Sequence, residues 1–346
     1  MVWFYLLLIG FLAFALTGLL RKYALARSLM DIPNARSSHS VPTPRGGGVA
    51  IVLSFLIGMV ILLFFDSLRA DVFLGLVGAG VIVAVTGFID DHGHVAARWR
   101  LVAHFSAALW GLYWLGGFPV IEVFGTELEL GWFGHILAAI YLVWQLNLYN
   151  FMDGIDGIAG IEASTVCLGG VILFLSSNNG SLIDQLPVLS LLMATLGFLV
   201  WNFPPAKIFM GDAGSGFVGL LLGLFSIAVA HVEQGLFWGW IILLGVFITD
   251  ATVTLIRRVI RRQAFYEAHR SHAYQYLSRL LNAHKPVSLI CGLVNILWLF
   301  PIALLVVFDL LTGALGVLIA YIPLVLAMLV LKAGDEAGQA KSGSST

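Results

Sequence analysis

The sequence predicts an all-α, polytopic membrane protein of about eleven transmembrane helices, with its N-terminus outside and its C-terminus in the cytoplasm. Three observations carry this reading. Of the 346 residues 60% are hydrophobic and only 11% are charged, and the mean hydropathy is +0.98, more apolar surface than a water-soluble fold can hide. The apolar residues fall in runs close to the roughly 20 residues that cross a bilayer. The Lys and Arg residues, finally, are confined to alternate connections, as cytoplasmic loops require.

The runs lie near 2–20, 47–65, 71–89, 101–117, 132–149, 159–176, 187–203, 215–232, 236–256, 288–308 and 310–331. Without the short run at 101–117 the number would be ten. None alternates in ten-residue pieces as the strands of a membrane barrel do. If the runs alternate across the bilayer, one face receives the segments 21–46, 90–100, 204–214, 257–286 and the C-terminal end. These hold five, two, one, seven and two basic residues, so that of the 18 Lys and Arg only Arg69 lies on the other face. The basic face is expected to be cytoplasmic. The first run is expected to stay as a helix, because Arg21 and Lys22 follow it, where a signal peptide places its charges in front. Cys167 and Cys291 both fall within runs, which argues against a disulfide framework. Residues 1–332 read as one integral-membrane domain and 333–346, small and polar, as a disordered tail. A net charge of −1 gives no field for nucleic acid, and none is expected as a partner.

The polar residues gather on the predicted cytoplasmic face in glycine-rich motifs that abut the spans. In DIPNARSSHSVPTPRGGGVA (31–50), Gly46 to Gly48 allow close backbone approach just before a helix begins. A helix N-terminus offers N–H groups to phosphate, Arg45 adds a charge there, and His39 stands nearby; an ordinary turn is the alternative. In GFIDDHGHVAARWR (87–100), the adjacent Asp90 and Asp91 repel each other unless a cation or donors compensate. That suits a metal or base site, or else an exposed capping pair. NLYNFMDGIDGIAG (147–160) places Asp153 and Asp156 three apart, toward one side if helical, with Gly154 and Gly157 clearing space. In WNFPPAKIFMGDAGSGFVG (201–219), Lys207 and Asp212 precede a glycine-rich entry into a helix. This suits a magnesium-bound phosphate, although it is no P-loop. In RRVIRRQAFYEAHRSHAYQYLSR (257–279), His269 and His272 flank Arg270 and share a face if helical. Zinc finds no further close ligands there, and a diphosphate suits the basic surroundings better. Magnesium takes carboxylates together with substrate phosphates, and phosphoryl transfer needs metal, basic groups and positioning, so the combination points to that chemistry on a lipid substrate.

Taken together, the motifs resemble the polyprenyl-phosphate N-acetylhexosamine-1-phosphate transferases, relatives of the bacterial phospho-MurNAc-pentapeptide translocase. The resemblance runs from Asp31 to about Tyr276. NxxNxxDGxDG is its most specific part, matched by Asn147, Asn150, Asp153, Gly154, Asp156 and Gly157, with GFIDD, KIFMGDAGS and HRSH in family order. The resemblance implies attack of undecaprenyl phosphate on the β-phosphate of a UDP-amino sugar, with release of UMP. Mg²⁺ is the implied cofactor, with Mn²⁺ as a substitute. Asp90 and Asp91 would bind or activate the lipid phosphate, one of them as base; Asp212 would hold the metal, with Asp90 as a second candidate. Asn150, Asp153, Gly154 and Asp156 would hold the nucleotide end, Asp156 among the catalytic residues. His269 and His272 would meet the diphosphate or assist catalysis, and Arg45, His39, Lys207 and Arg270 would bind substrate. Undecaprenyl phosphate, the UDP-amino sugar, the bilayer and a second copy in a homodimer are the expected partners.

Three departures resemble the branch that starts O-antigen or related surface polysaccharides: Arg36-Ser37-Ser38-His39 in the first loop, His92-Gly93-His94 after the aspartate pair, and His-Arg-Ser-His. They imply a bacterial inner-membrane enzyme with a cytoplasmic active site, using UDP-GlcNAc, UDP-FucNAc or UDP-QuiNAc. A peptidoglycan-type pentapeptide transferase is the alternative within the family. A transporter, the rival from another class, would carry its polar residues near span midpoints; His104 is the main one, and reads as a histidine bonded within the bundle. The CDP-alcohol phosphatidyltransferase pattern is not matched, since Asp153-Gly154 is followed by Ile-Asp-Gly-Ile.

Overall fold

Each of the eleven apolar runs lies on helix in the computed structural model, which describes residues 1–33, 41–93, 95–177, 180–263 and 270–335. In chain order the helices are α1 (Val2–Ala26), α2 (Gly48–Phe64), α3 (Ala70–His92), α4 (Ala97–Trp114), α5 (Gly131–Met152), α6 (Ile158–Ser176), α7 (Leu186–Asn202), α8 (Asp212–Ala230), α9 (Gln234–Leu243), α10 (Gly245–Ile260), α11 (Ala273–Leu281), α12 (Lys285–Val294), α13 (Phe300–Val307) and α14 (Gly313–Val330). Two short antiparallel pairs complete the described structure: β1 (Met30–Asp31) with β2 (Thr43–Pro44), and β3 (Ile121–Val123) with β4 (Thr126–Leu128).

By length and composition six helical segments cross a membrane, or seven if the bent pair α9–α10 is one span. The helices α2 and α7, of 17 residues each, are shorter apolar helices. The expected run 288–308 divides into α12, a π turn over Asn295–Leu299, and α13. Pro301 has no N–H to give to Leu297, so the α-helical ladder cannot continue unchanged through this point.

The run 236–256 is broken at Leu244, where α9 and α10 meet at 64°. In an unbroken helix the Ile241 carbonyl would accept from Gly245. Here the Tyr321 hydroxyl takes that acceptor at 2.6 Å, and a Cβ on Gly245 would lie 2.9 Å from the Tyr321 ring. The bend is therefore a built feature, with a side chain inserted into the ladder.

The centre of the bundle is α8. Of an 18-residue stretch of it 94% is buried, against 22% for α1 and for α14. The outward sides of α1 and α14 expose apolar residues such as Trp3, Phe4, Phe11, Leu326 and Val330, the surface lipid solvates. Around α8, small residues let neighbouring backbones approach. A Cβ on Gly219 would lie 2.6 Å from the Cβ of Tyr149 on α5, and one on Gly80 2.5 Å from the Phe217 ring.

One such approach controls the end of the bundle where the motifs gather. Gly87, one helical turn before the aspartate pair, faces the first peptide of α8; a Cβ there would lie 2.6 Å from the Asp212 carbonyl and the Ala213 nitrogen. Backbone atoms cannot rotate away as a side chain can. Gly87→Ala is therefore expected to destabilise the protein by about 1–3 kcal/mol, read as a lower unfolding temperature in detergent. Wild-type unfolding would contradict this contact.

Candidate active site

Four connections converge around the N-terminus of α8. The stretch after β2 is tied to the stretch before α8 by backbone bonds: Phe209 N–H to Pro44 O at 2.8 Å, Gly47 N–H to Phe209 O at 2.9 Å, and Gly48 N–H to Met210 O at 2.8 Å. The amides at the start of α2 are thus engaged within the protein, and the expectation that they offer themselves to phosphate is not met. Asp91, at the end of α3, accepts from the first amides of α8, Asp212 N–H at 3.1 Å and Ala213 N–H at 3.2 Å. Gly214 and Ser215 give theirs to the Gly211 carbonyl. Gly211 itself has φ +79°, and a Cβ on it would lie 2.9 Å from Asp91 Oδ2. Glycine is required there by conformation and by space.

Asp90, beside Asp91, accepts Val95 N–H at 2.9 Å and Arg100 Nη1 at 2.6 Å, closing the turn into α4. Its carboxyl group faces that of Asp212. Arg45 donates to the Asp91 carbonyl and stands 4.0 Å from its Oδ1. Asn150, on the last turn of α5, donates its amide to Asp212 Oδ1 at 3.0 Å and to Ser215 Oγ at 2.8 Å. Asn147, a helical turn earlier, bonds to the Val143 carbonyl at 2.6 Å and lies 3.4 Å from His104 Nδ1. His104 is therefore bonded within the bundle.

Asp153 lies just past the end of α5, partly buried, and its carboxylate has no hydrogen bond from the described residues. Burial, and then the neighbouring Asp212, Asp91 and Asp156 carboxylates, push its carboxyl well above the usual carboxylate range. Asp156 is differently placed. Its Oδ2 accepts Ala206 N–H at 2.9 Å, its Oδ1 lies 3.1 Å from His284 Nδ1, and Ser288 donates to its carbonyl at 2.7 Å. The Asn202 side chain accepts Gly157 N–H at 3.0 Å and donates to Ile208 O at 2.9 Å. Pro204 and Pro205, which end α7, thereby carry the KIFMGD stretch against DGIDG. Lys207 is exposed, its ammonium 5.6 Å from the centre of the Trp201 ring.

His272, the last residue of HRSH, is held by a carboxylate that belongs to none of the polar motifs. Asp250, buried on α10, accepts Ala273 N–H and Tyr274 N–H at 2.9 Å each. It also lies 3.3 Å from Nδ1 of the buried His272. Tyr274 reaches across to the Phe151 carbonyl at 3.0 Å, over the space that the missing side chain of Gly154 leaves for its hydroxyl. Arg270 gives its carbonyl to Arg279 Nη1 at 3.1 Å. His39 and His269 lie outside the described residues. A carboxylate inside an apolar run is the signal that marked Asp250; the partners of Asp156, namely His284, Ser288 and Asn202, carry no motif. Of the expected tail, Gly334 donates to Ser271 O at 2.7 Å and Asp335 pairs with Arg257 at 3.0 Å.

Among the described residues no three His, Cys, Asp or Glu form a ready-made metal cage. What the site does offer is Asp212 and Asp153, two mutually repelling carboxylates with few donors of their own, Asp212 held by Asn150 and the neighbouring Asp91 and Asp90 by Arg45 and Arg100. That suits a hard divalent cation, which takes one or two carboxylates and completes its shell with water and substrate phosphate.

A bundle of apolar helices with carboxylates, arginines and an asparagine gathered at one end of its central helix suits a membrane enzyme that handles phosphate groups. Residues 73–230 match the model of glycosyl transferase family 4. The chain is 30% identical to a probable undecaprenyl-phosphate N-acetylglucosaminyl 1-phosphate transferase of Bacillus subtilis, over 82% of this chain and 79% of that one. It is 28% identical to a decaprenyl-phosphate N-acetylglucosaminephosphotransferase of Mycobacterium leprae, over 79% and 76%. A phospho-N-acetylmuramoyl-pentapeptide-transferase of Streptococcus pneumoniae is 30% identical over 62% of this chain and 67% of its own. The chain belongs to this family of polyprenyl-phosphate sugar-1-phosphate transferases, and it is an enzyme of the sugar-phosphate transferase class, which sets the transporter aside.

Truncating Asp250 to Ala leaves the two buried amides of Ala273 and Tyr274 without their acceptor. At about 1.5–3 kcal/mol for a hydrogen bond to a charged group, Asp250→Ala is expected to lower the unfolding temperature and to open α11 to protease. Wild-type resistance there would show that α11 is held by other contacts.

Proposed function

We propose that the enzyme transfers a sugar-1-phosphate from a UDP-N-acetylamino sugar to undecaprenyl phosphate, on the cytoplasmic side of a bacterial inner membrane. An oxygen of the lipid phosphate forms a bond to the β-phosphorus, the bond from that phosphorus to the bridging oxygen breaks, and the electron pair leaves with UMP. The observation that carries this reading is the placement of Asp153 and Asp212, short of donors, near the start of α8, next to an aspartate pair that Arg45 and Arg100 engage. Asp212 would hold Mg²⁺, with Asp153 or Asp90 beside it, and the ion would supply charge neutralisation at the phosphates.

The chain's own groups then divide the work. Asn150 fixes Oδ1 of Asp212, whose carboxyl group also faces that of Asp90. Arg45 and Arg100, each partly exposed, neutralise phosphate charge at the entrance. Asp91 maintains the α8 terminus. Little is asked of a general base, because a phosphate monoester with a second pKa of about 6 is already largely ionised near neutrality. The DGIDG loop, fastened through Asp156, and His272, fastened through Asp250, form the walls on the nucleotide side.

The confinement of basic residues to one face supports the cytoplasmic orientation, with the N-terminus outside. The names of the relatives favour N-acetylglucosamine as the sugar to test first; the loop departures favour the branch that starts O-antigen or another surface polysaccharide. Purified protein with undecaprenyl phosphate, Mg²⁺ and a panel of UDP-sugars, UDP-MurNAc-pentapeptide included, is expected to release UMP with one N-acetylamino sugar. Mn²⁺ is expected to substitute for Mg²⁺, and Asp212→Asn to lower the rate on the order of a hundredfold or more. Absence of UMP with every donor, under conditions where a relative is active, overturns the reaction; full activity of Asp212→Asn overturns the metal assignment.

A further inference from the structure

Behind the DGIDG loop lies a second polar cluster, inside the apolar bundle and outside the reaction described above. His284, Ser288, Cys291 and Asn295 recur at helical spacing, so they line one face of the helix that begins at Lys285. The first two engage Asp156, as described. The next two engage Glu162 on α6: Asn295 Nδ2 donates to Oε2 at 2.7 Å and Cys291 Sγ lies 3.3 Å from the same oxygen. Glu162 is wholly buried and Asn295 is 1% exposed.

The hydrogen-bond inventory of this cluster does not close. The second hydrogen of Asn295 Nδ2 goes to Thr165 Oγ1 at 2.8 Å, and the Thr165 hydroxyl is shared between the Ile161 and Glu162 carbonyls. Every donor is therefore engaged. Two acceptors are left without a partner among the described residues, Glu162 Oε1 and Asn295 Oδ1, both fully buried. Turning the Asn295 amide over does not help, because its oxygen would then face Glu162 Oε2 and its nitrogen would lose two acceptors.

Nor is there a compensating charge. The titratable groups facing Glu162 are Tyr149 of α5, Tyr321 of α14 and Cys291 of α12. Asp250 lies beyond Cys291, already engaged by the α11 amides. Among the described residues no Lys, Arg or His pairs with Glu162. An ionised carboxylate in such surroundings would be unpaired within the membrane-spanning part of the protein, an arrangement apolar interiors do not sustain.

We propose that Glu162 is a proton-binding site: a carboxylic acid that carries its hydrogen on Oε1 while its Oε2 accepts from Cys291 and Asn295, so that a neutral side chain pins their helix to α6. One proton removes the charge and turns one of two unpartnered acceptors into a donor, in a cluster whose other unpartnered atom is an acceptor. The π turn begins at Asn295 itself, so the pinned residue is also where the helix changes register. From Asn295 the same face leads to Ser288 and His284, and hence to the backbone and side chain of Asp156. Glu162 is in this sense a positioning residue, holding the DGIDG loop from behind.

The test is infrared difference spectroscopy of wild type against Glu162→Gln in lipid nanodiscs at neutral pH, which reads the proton whatever reaction the enzyme performs. The wild type is expected to show a protonated-carboxyl stretch that Glu162→Gln lacks. Glutamine offers the same oxygen and an N–H in place of the O–H, so this variant is expected to keep its unfolding temperature and stay within about twofold of wild-type activity. Asn295→Leu is expected to shift the carboxyl band and to lower the unfolding temperature. Carboxylate bands in place of the carboxyl stretch overturn the proposal, as does a folded Glu162→Gln that has lost about tenfold or more in rate.

Discussion

The rest of the site depends on the acceptance of α8's first amides by Asp91. A buried helix has N-terminal N–H groups that its own ladder cannot use, and α8 begins where little water reaches. Asp91 takes two of them and Gly211 O the next two. A negative group at this end also meets the positive end of the helix dipole. Because Asp91 sits on α3, the contact fastens α3 to α8 end to end, with Gly87 giving the clearance. Asp90 is then carried to the face of Asp212, and Arg45 to Asp91. The same device recurs with Asp250 and α11, and more loosely with Asp156 and the Ala206 amide.

This divides the carboxylates by their partners. Asp91 and Asp250 are saturated by backbone donors, and Asp90 is held by Val95 and Arg100. Asp156 belongs to a latch with His284, Ser288 and Ala206. Asp153 has no donor among the described residues, and Asp212 has one on its side chain, from Asn150. Repulsion among them is what a divalent cation and a phosphate partner would relieve, so the residues least stabilised in the protein alone are those best suited to hold ligand. The saturated ones supply the rigidity that positioning requires.

Much of the fold was legible in the sequence because length and hydropathy suffice for it. All eleven apolar runs fall on helix, although length and composition mark six or seven as spans. The break at Leu244 was not legible: Gly245 looks like any membrane glycine until Tyr321 is seen to occupy the space beside it and the carbonyl before it. Of the site, the sequence located the converging loops. It could not say which aspartate meets an amide and which meets a ligand, since both roles use the same residue type beside the same glycines. Asp250 was missed because it belongs to no polar motif, and His284 because it stands alone; their roles arise from packing between distant segments.

The division between fastening and ligand-holding carboxylates is the central claim, and paired measurements on Asp91→Asn and Asp212→Asn test it most directly. Mn²⁺ binding by electron paramagnetic resonance and thermal unfolding would be followed on each variant in the same detergent. Asp212→Asn is predicted to lose Mn²⁺ binding while unfolding no earlier than wild type, and Asp91→Asn to unfold earlier while still binding Mn²⁺. The reverse pattern, with Asp91→Asn losing the ion and Asp212→Asn losing stability, would contradict the account.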